Sequence, residues 1–393
     1  MENISKKIDT AMLKHSTYNK NTMKKEIMSI ERLEASLAIP DLTDPKNGIH
    51  AINIVVYNIM MALQKAYPGT SFEEVRLNPE VSVKENFDDL LFPSDNTGRS
   101  SRYTRYVTKD TVLRTHTSSA IPRWLKQASQ GGIKDTIVVL PGMCYRRDVV
   151  DKTHCGEPHQ MDVWRIKHGQ SHFTRKDLIS LVETILNCVV PGCKYRANEV
   201  EHPYTLNGLE VEVLVNGSWL EVLECGEAHP TVLRNAGLDP EEYSGLALGM
   251  GLDRLVMIIK SIDDIRVLRS DDSRIKSQMT NLDRFTIVSD QPATKRVLSY
   301  STSVEKTEED ICEEIRDELG PDAVFIEKIE HLEIPYEQLP EKARANLGIN
   351  PDQKNVVVTL TFRSLEGSLP RTMVNEWMQR LYPKLNMGSR GYM

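Results

Sequence analysis

Residues 142 to 164, GMCYRRDVVDKTHCGEPHQMDVW, crowd cationic and imidazole groups into a short stretch. Arg146 and Arg147 stand at what reads as a strand end. A turn follows, and His154 then precedes a returning strand that carries Gln160 and Asp162. An antiparallel return of this kind puts guanidinium and imidazole groups over one face of a sheet, where they can neutralise a bound polyanion. A charged hairpin that is merely solvated has the same spacing, so the stretch alone leaves both readings open. Residues 244 to 259, SGLALGMGLDRLVMII, pose the same choice. Gly249 and Gly251 allow backbone to approach a nucleotide, and Arg254, one turn inside the helix that follows, can reach phosphate. Glycines in such openings serve equally well as packing devices.

Groups like these need a sheet to hold them. The runs at 110 to 116 (DTVLRTH), 135 to 148, 159 to 168 and 209 to 226 are strand-like, several of them alternating polar with apolar residues. That pattern suits an antiparallel sheet with one covered face. Helical spacing over IHAINIVVYNIMMALQKAY, from Ile49 to Pro68-Gly69, predicts a long amphipathic helix. Further helices are expected at about 175 to 188 and after Gly251. The expected class is α+β. Residues 1 to 45, polar and closed by Pro40 and Pro45, read as an N-terminal polar or helical appendage, and residues 46 to 290 as the main domain. Residues 291 to 393 read strand, helix, strand, a loop holding Pro335 and Pro340, strand, helix, an order that fits a ferredoxin-like split βαβ domain.

Taken together and in this order, the two chemistry-bearing segments resemble motifs 2 and 3 of class II aminoacyl-tRNA synthetases, in the wording of the phenylalanyl branch. The resemblance runs through NFDDLLFPSDN (86 to 96), VLRTHTS (112 to 118), residues 219 to 254 and IDDIRVLRSDDSR (262 to 274). It also takes in VTLTFRS and LPRTMVNEWMQRL, which are similar to the anticodon-binding domain attached to single-chain phenylalanyl enzymes. The resemblance implies ATP-dependent formation of an aminoacyl-adenylate, followed by transfer to tRNA. Such a reaction demands charge neutralisation and alignment more than a protein nucleophile. It implies that Arg146 holds the amino-acid carboxylate and α-phosphate, Asp148 the adenine amino group, His154 the outer phosphates, and Arg254 the γ-phosphate or adenine face. Arg147 is expected to point away. His116, Ser118, Gln160 and Asp162 fall where the family meets the substrate ammonium, and Glu221 where it places a Mg2+ ligand.

Five positions depart from that pattern. Pro158 replaces the phenylalanine on which the family stacks adenine. His202 and Tyr204, in EHPYTLNG, take the places of two rings that pack on the substrate ring. Ala247 keeps the small residue that gates the far end of the pocket, but Leu246 and Leu248 replace its aromatic flanks. Polar groups in the ring positions penalise a ligand that leaves them unpaired, so the expected substrate is phenylalanine or a more polar aromatic amino acid. The alternatives are a synthetase paralogue serving an acceptor other than tRNA, such as a carrier protein or small molecule, and a non-catalytic binding or regulatory homologue.

The 393-residue chain has a formal charge of -7, which excludes broad electrostatic capture of nucleic acid and leaves RNA contact to local groups. From Pro292 onward 13 Lys and Arg face 17 Asp and Glu, a net of -4, leaving Arg363, Arg371 and Arg390 as candidate phosphate contacts. Six cysteines without paired metal-ligand spacing suggest reduced thiols, Cys188 and Cys193 being the nearest to a pair. No apolar run approaches the roughly 18 residues that a membrane span requires. The expected setting is cytoplasmic, the expected partners are amino acid, ATP and tRNA, and the chain is expected to act as a monomer or homodimer.

Overall fold

The computed structural model describes residues 26 to 147, 152, 154 to 288, 291 to 364 and 367 to 389. Asp148 and Arg390 lie outside the described residues. The longer helices are α1 (Ile30–Leu37), α2 (Ala51–Ala66), α3 (Ile121–Gly131), α4 (Arg175–Val189), α5 (Leu252–Lys260), α6 (Glu308–Leu319) and α7 (Arg371–Leu385). The strands of the main sheet are β1 (Ser71–Glu74), β4 (Asp135–Met143), β5 (His159–His168), β6 (Tyr195–Glu199), β7 (Thr205–Val215), β8 (Ser218–Ala228) and β9 (Tyr243–Gly251). A separate pair, β2 (Glu80–Ser82) and β3 (Thr111–Leu113), lies outside it.

The seven strands run in the order β1-β4-β5-β9-β8-β7-β6, antiparallel except for the β1–β4 edge. Period-two alternation divides their side chains between two faces. Ile137, Val139, Met161, Val163, Leu248 and Met250 pack with Ile52, Ile59 and Leu63 of α2, Leu181 and Ile185 of α4, and Leu255 of α5. On the opposite face, Val138, Leu140, Trp164 and Ala247 pack with Ile121, Trp124 and Leu125 of α3. The glycines of β9, together with Gln160 and Asp162 on the same face, leave the rest of that surface open.

Local chemistry sets the helix ends. The His50 ring accepts from the Ile52 amide while Asn53 accepts from the His50 amide, so α2 begins with both donors satisfied. Thr174 and Asp177 do the same for α4. Ser261, in the left-handed region at φ 55°, ends α5.

One irregularity matters for the site. The β7–β8 ladder pairs Glu212 with Glu221 and Val211 with Leu223, so Val222 is an extra residue. This bulge turns Glu221 and Glu224 toward the same cavity although they lie three apart, a spacing that regular alternation sends to opposite faces.

Residues beyond 291 carry β10 (Thr294–Ser303), β11 (Ile326–Pro335) and β12 (Gln353–Phe362) in the antiparallel order β10-β12-β11, around a core of Tyr300, Phe362, Trp377 and neighbours from α6 and α7. The stretch holding Pro335 and Pro340 is more ordered than the loop expected: β11 runs through Pro335, and short helical turns follow at Tyr336–Gln338 and Glu341–Leu347. This unit rests on the main sheet domain through ion pairs of Arg147 with Glu313, Arg32 with Asp317 and Lys152 with Glu327. Arg363 is committed to Glu327 and to the Gln291 carbonyl rather than projecting freely.

Residues 26 to 45, part of the expected N-terminal appendage, are tied to the main sheet domain by hydrogen bonds. Asp41 accepts from the Met143 amide, and Arg76 donates to the Thr43 hydroxyl and carbonyl. Among the described residues no helix is long and apolar enough to cross a membrane, and all six cysteines are thiols.

Candidate active site

Two adjoining cavities open on the bare face of the main sheet. The first, of about 430 Å³, is lined by His116, Ser118, Asp162, His202, Tyr204 and Glu224, among others. The second, of about 490 Å³, is lined by His154, Pro158, Asp253 and Arg254, with Glu309 of α6 at its edge. Arg146, Gln160, Glu221, Val222 and Gly251 line both. These five residues therefore form the passage from one cavity to the other.

Arg146 is fixed at that passage from three sides. Its Nε donates to the Thr115 carbonyl at 2.8 Å, its amide donates to the Gly156 carbonyl at 2.7 Å, and its own carbonyl accepts from Arg105 at 2.9 Å. Arg147 turns the other way, into ion pairs with Glu26 and Glu313. In the second cavity Arg254 donates to the Glu221 carbonyl at 2.9 Å, with the Glu221 carboxylate 3.6 Å away. His154 is exposed at the rim. Pro158 lines this cavity, and no phenylalanine, tyrosine or tryptophan does so among the described residues.

The first cavity is rich in acceptors. His116 lies 3.0 Å through Nε2 from the Asn86 carbonyl, which can only accept, so Nε2 carries the ring proton and Nδ1 is a bare acceptor. Burial, helped by the Arg146 charge, depresses its pKa to about 3 and keeps the ring neutral. Asp162 is buried on β5, accepting from Thr117 at 2.6 Å, from the Trp164 indole at 3.2 Å and from the Ser118 hydroxyl. Burial nevertheless raises its pKa above the usual carboxylate range, outweighing those bonds. A cationic ligand group would relieve that cost. Gln160 accepts from the Cys144 thiol at 3.3 Å, which leaves its amide N–H groups free to donate. Burial pushes that thiol up to about 12.

The aromatic walls come from Phe92, stacked on His116 at 5.5 Å, and from Tyr204, 6.0 Å from Phe92 and stacked on Trp164 at 6.3 Å. His202 lies 3.1 Å from Glu224 through Nε2, at ion-pair distance. Each shifts the other toward its charged form: the adjacent Glu224 carboxylate raises the His202 pKa, and the adjacent His202 ring lowers that of Glu224.

Ala247 does not line either cavity. It pairs with Trp164 across the β5–β9 ladder and is buried with it, so the bulk of Trp164 stands where the sequence reading put a gate. Three features escaped that reading. Glu224 lines the first cavity. Glu309 reaches the second from α6. Beneath the passage, His159 is wholly buried, with Nδ1 2.9 Å from Asp253 and Nε2 accepting from the Leu42 amide and Arg269. A buried His joined to an acid in DR and to an Arg in LRS was visible as three polar residues in apolar stretches, but not as a contact.

Among the described residues no group of three His, Cys, Asp or Glu side chains is arranged to hold a metal ion. Glu221 offers a single carboxylate, 45% exposed, whose pKa burial and the neighbouring Glu224 both raise. One carboxylate beside a phosphate site fits Mg2+, which takes few protein ligands and keeps its other contacts for phosphate and water.

The chain is similar to known proteins over much of its length. The profile of the tRNA synthetases class II core domain (F) matches residues 40–279. The phenylalanine–tRNA ligase alpha subunit of Nostoc punctiforme is 33% identical over 252 residues, covering 64% of this chain and 73% of its own length. The chloroplastic/mitochondrial phenylalanine–tRNA ligase of Arabidopsis thaliana is 30% identical over 363 residues, covering 87% of this chain and 79% of its own. A pyrrolysyl-tRNA synthetase structure from Desulfitobacterium hafniense superposes with a TM-score of 0.46 at 14% identity, covering 61% of this chain and 78% of its own.

Proposed function

The chain belongs to the class II tRNA synthetases, on the phenylalanine branch, and we propose that it activates phenylalanine or a more polar aromatic amino acid with ATP and transfers it to tRNA. The observation that carries this reading is the pair of cavities meeting at Arg146. An amino acid in the first and ATP in the second would bring the carboxylate and the α-phosphate together at that guanidinium.

In this reading the ammonium of the amino acid is met by Asp162, Ser118, the bare Nδ1 of His116 and the carbonyl oxygen of Gln160, which keeps a second lone pair beside the Cys144 thiol. His202 and Tyr204 face the side chain, and Ala247 supports the pocket from beneath Trp164. A carboxylate oxygen attacks the α-phosphorus, the bond to the bridging oxygen breaks, and pyrophosphate leaves. Arg146 neutralises charge on both reacting groups. His154 and Arg254 hold the outer phosphates, the glycine backbone at Gly251 permits close approach, and Asp148 remains a proposed adenine contact. Glu221 would hold Mg2+, which supplies charge neutralisation to the leaving pyrophosphate.

The unit beyond residue 291 is proposed as an anticodon-binding domain of ferredoxin type. The Arabidopsis match supports this, because 87% of the chain exceeds what lies before that point. The chain is proposed to act as a monomer or homodimer. A cytoplasmic setting is supported by six cysteines that form no disulfide among the described residues. The acidic balance beyond Pro292 and the capture of Arg363 by Glu327 favour a second reading, in which the acceptor is a carrier protein or small molecule.

Amino-acid-dependent ATP–pyrophosphate exchange across a panel of amino acids tests the activation step. Exchange followed by charging of total tRNA is the expected result. Exchange without charging selects the second reading, and no exchange with any amino acid overturns both.

A further inference from the structure

The roles above leave Glu224 unused, although it lies in the first cavity. Asp162 on β5, Gly249 on β9 and Glu224 on β8 are directly paired across two ladders, so they form one row on the open face. Gly249 has no side chain, and a carbon added there would meet Asp162 Oδ1 at 3.7 Å. The row is therefore a smooth floor with a carboxylate at each end. The β8–β9 register sets the second carboxylate on this face, and the bulge at Val222 lets Glu221 share it.

The two carboxylates differ in what they have left to offer. Asp162 is enclosed and bonded to Thr117, Ser118 and Trp164. Glu224 is 42% exposed, and among the described residues its one partner is His202. Phe92 and Tyr204, in tilted contact at 6.0 Å, form one aromatic wall of this cavity. A planar side chain lying along that wall, with its backbone end at Asp162, points its far edge at the His202–Glu224 pair.

We infer that the His202–Glu224 pair selects an aromatic amino acid whose ring carries an N–H or O–H donor at its far end, and rejects phenylalanine. This rests on the reading of the first cavity as an amino-acid pocket. A donor on the ring satisfies the open Glu224 oxygen. A bare hydrocarbon edge strips water from an ion pair and returns nothing, which is the situation in which polar sites discriminate most strongly. Glu224 is thus a specificity residue, and His202 positions its carboxylate.

The test is ATP–pyrophosphate exchange with phenylalanine, tyrosine, meta-tyrosine, 4-aminophenylalanine, histidine and tryptophan. For the unaltered chain, kcat/KM for at least one ring-donor substrate should exceed that for phenylalanine by about 100-fold or more. Glu224→Gln, close in shape and checked for folding by circular dichroism, should lose about tenfold or more on the donor substrate with no loss on phenylalanine. His202→Phe combined with Glu224→Gly should shift preference toward phenylalanine. Highest activity with phenylalanine in the unaltered chain, exchange confined to non-aromatic amino acids, or an equal loss on every substrate in Glu224→Gln each overturns the inference while the ligase reading stands. No exchange with any amino acid overturns the ligase reading itself.

Discussion

The Nε of Arg146 donates to the carbonyl oxygen of Thr115 at 2.8 Å, and Thr115 directly precedes His116. The segment that would grip the amino acid thus also aims the guanidinium that would grip the phosphate. Arg146→Ala should therefore reduce ATP–pyrophosphate exchange by roughly 100-fold to 1000-fold, the range seen when a pre-aligned charge-stabilising donor is removed. Arg147→Ala, whose partners are Glu26 and Glu313, should stay within a few-fold while lowering the melting temperature. Equal effects of the two substitutions on exchange would show that the passage has been misidentified.

Pro158 leaves the second cavity without an aromatic face. Pro158→Phe should lower the KM for ATP by on the order of tenfold, as expected from about 1 to 3 kcal/mol of base stacking. The measurement is exchange at varied ATP with amino acid held saturating. An unchanged KM would mean that Arg254 already covers the base.

His116 and His50 predict an acid-labile fold. Burial is the main cause of depression in both, to about 3 for His116 and about 4 for His50, from an ordinary value of 6.5. The unfolded chain then binds more protons than the folded one between pH 6.5 and those values, so stability falls as pH drops through that window. The His50 share is on the order of 3 kcal/mol. Melting temperatures of the unaltered chain and of His50→Gln between pH 7.5 and 4 should converge as the pH falls; parallel curves would remove His50 from the account.

Asp253 holds the ring of His159, and that ring in turn receives the Leu42 amide and Arg269. Asp253→Ala leaves a wholly buried imidazole N–H without a partner, a cost of about 3 kcal/mol. Beyond the lower melting temperature, the Leu42 amide should exchange hydrogen faster, because its acceptor is no longer oriented. Protection of Leu42 equal to that in the unaltered chain would show that the segment is held by other contacts.

Glu221→Gln should raise the Mg2+ concentration for half-maximal exchange by roughly tenfold, while activity at saturating Mg2+ recovers most of its value. A purely structural role would instead lower the maximum and leave the Mg2+ dependence in place.

Arg146 and Gln160 could be picked out because they flank one turn, and Gly251 because it opens one helix; the structure brings these three together at the passage. The α+β class and the long helix followed from periodicity that the structure reproduces. Glu224 was not legible, since strand alternation places residues 221 and 224 on opposite faces and nothing in WLEVLEC announces the bulge. The anchors of residues 26 to 45 were not legible because they are hydrogen bonds, such as Asp41 to the Met143 amide, rather than an apolar stripe. Ala247 was placed by position in a motif, whereas its exposure depends on how Trp164 lies across it.

The floor between Asp162 and Glu224 is spanned by one intervening strand. Next-but-one strands lie about 10 Å apart, a distance fixed by main-chain hydrogen bonding and not by any side chain. The site therefore gauges the length of its ligand with backbone and identifies its end group with replaceable side chains. Substitutions at positions 202 and 224 can change which functional group is read, but a longer or shorter ligand would require a different sheet.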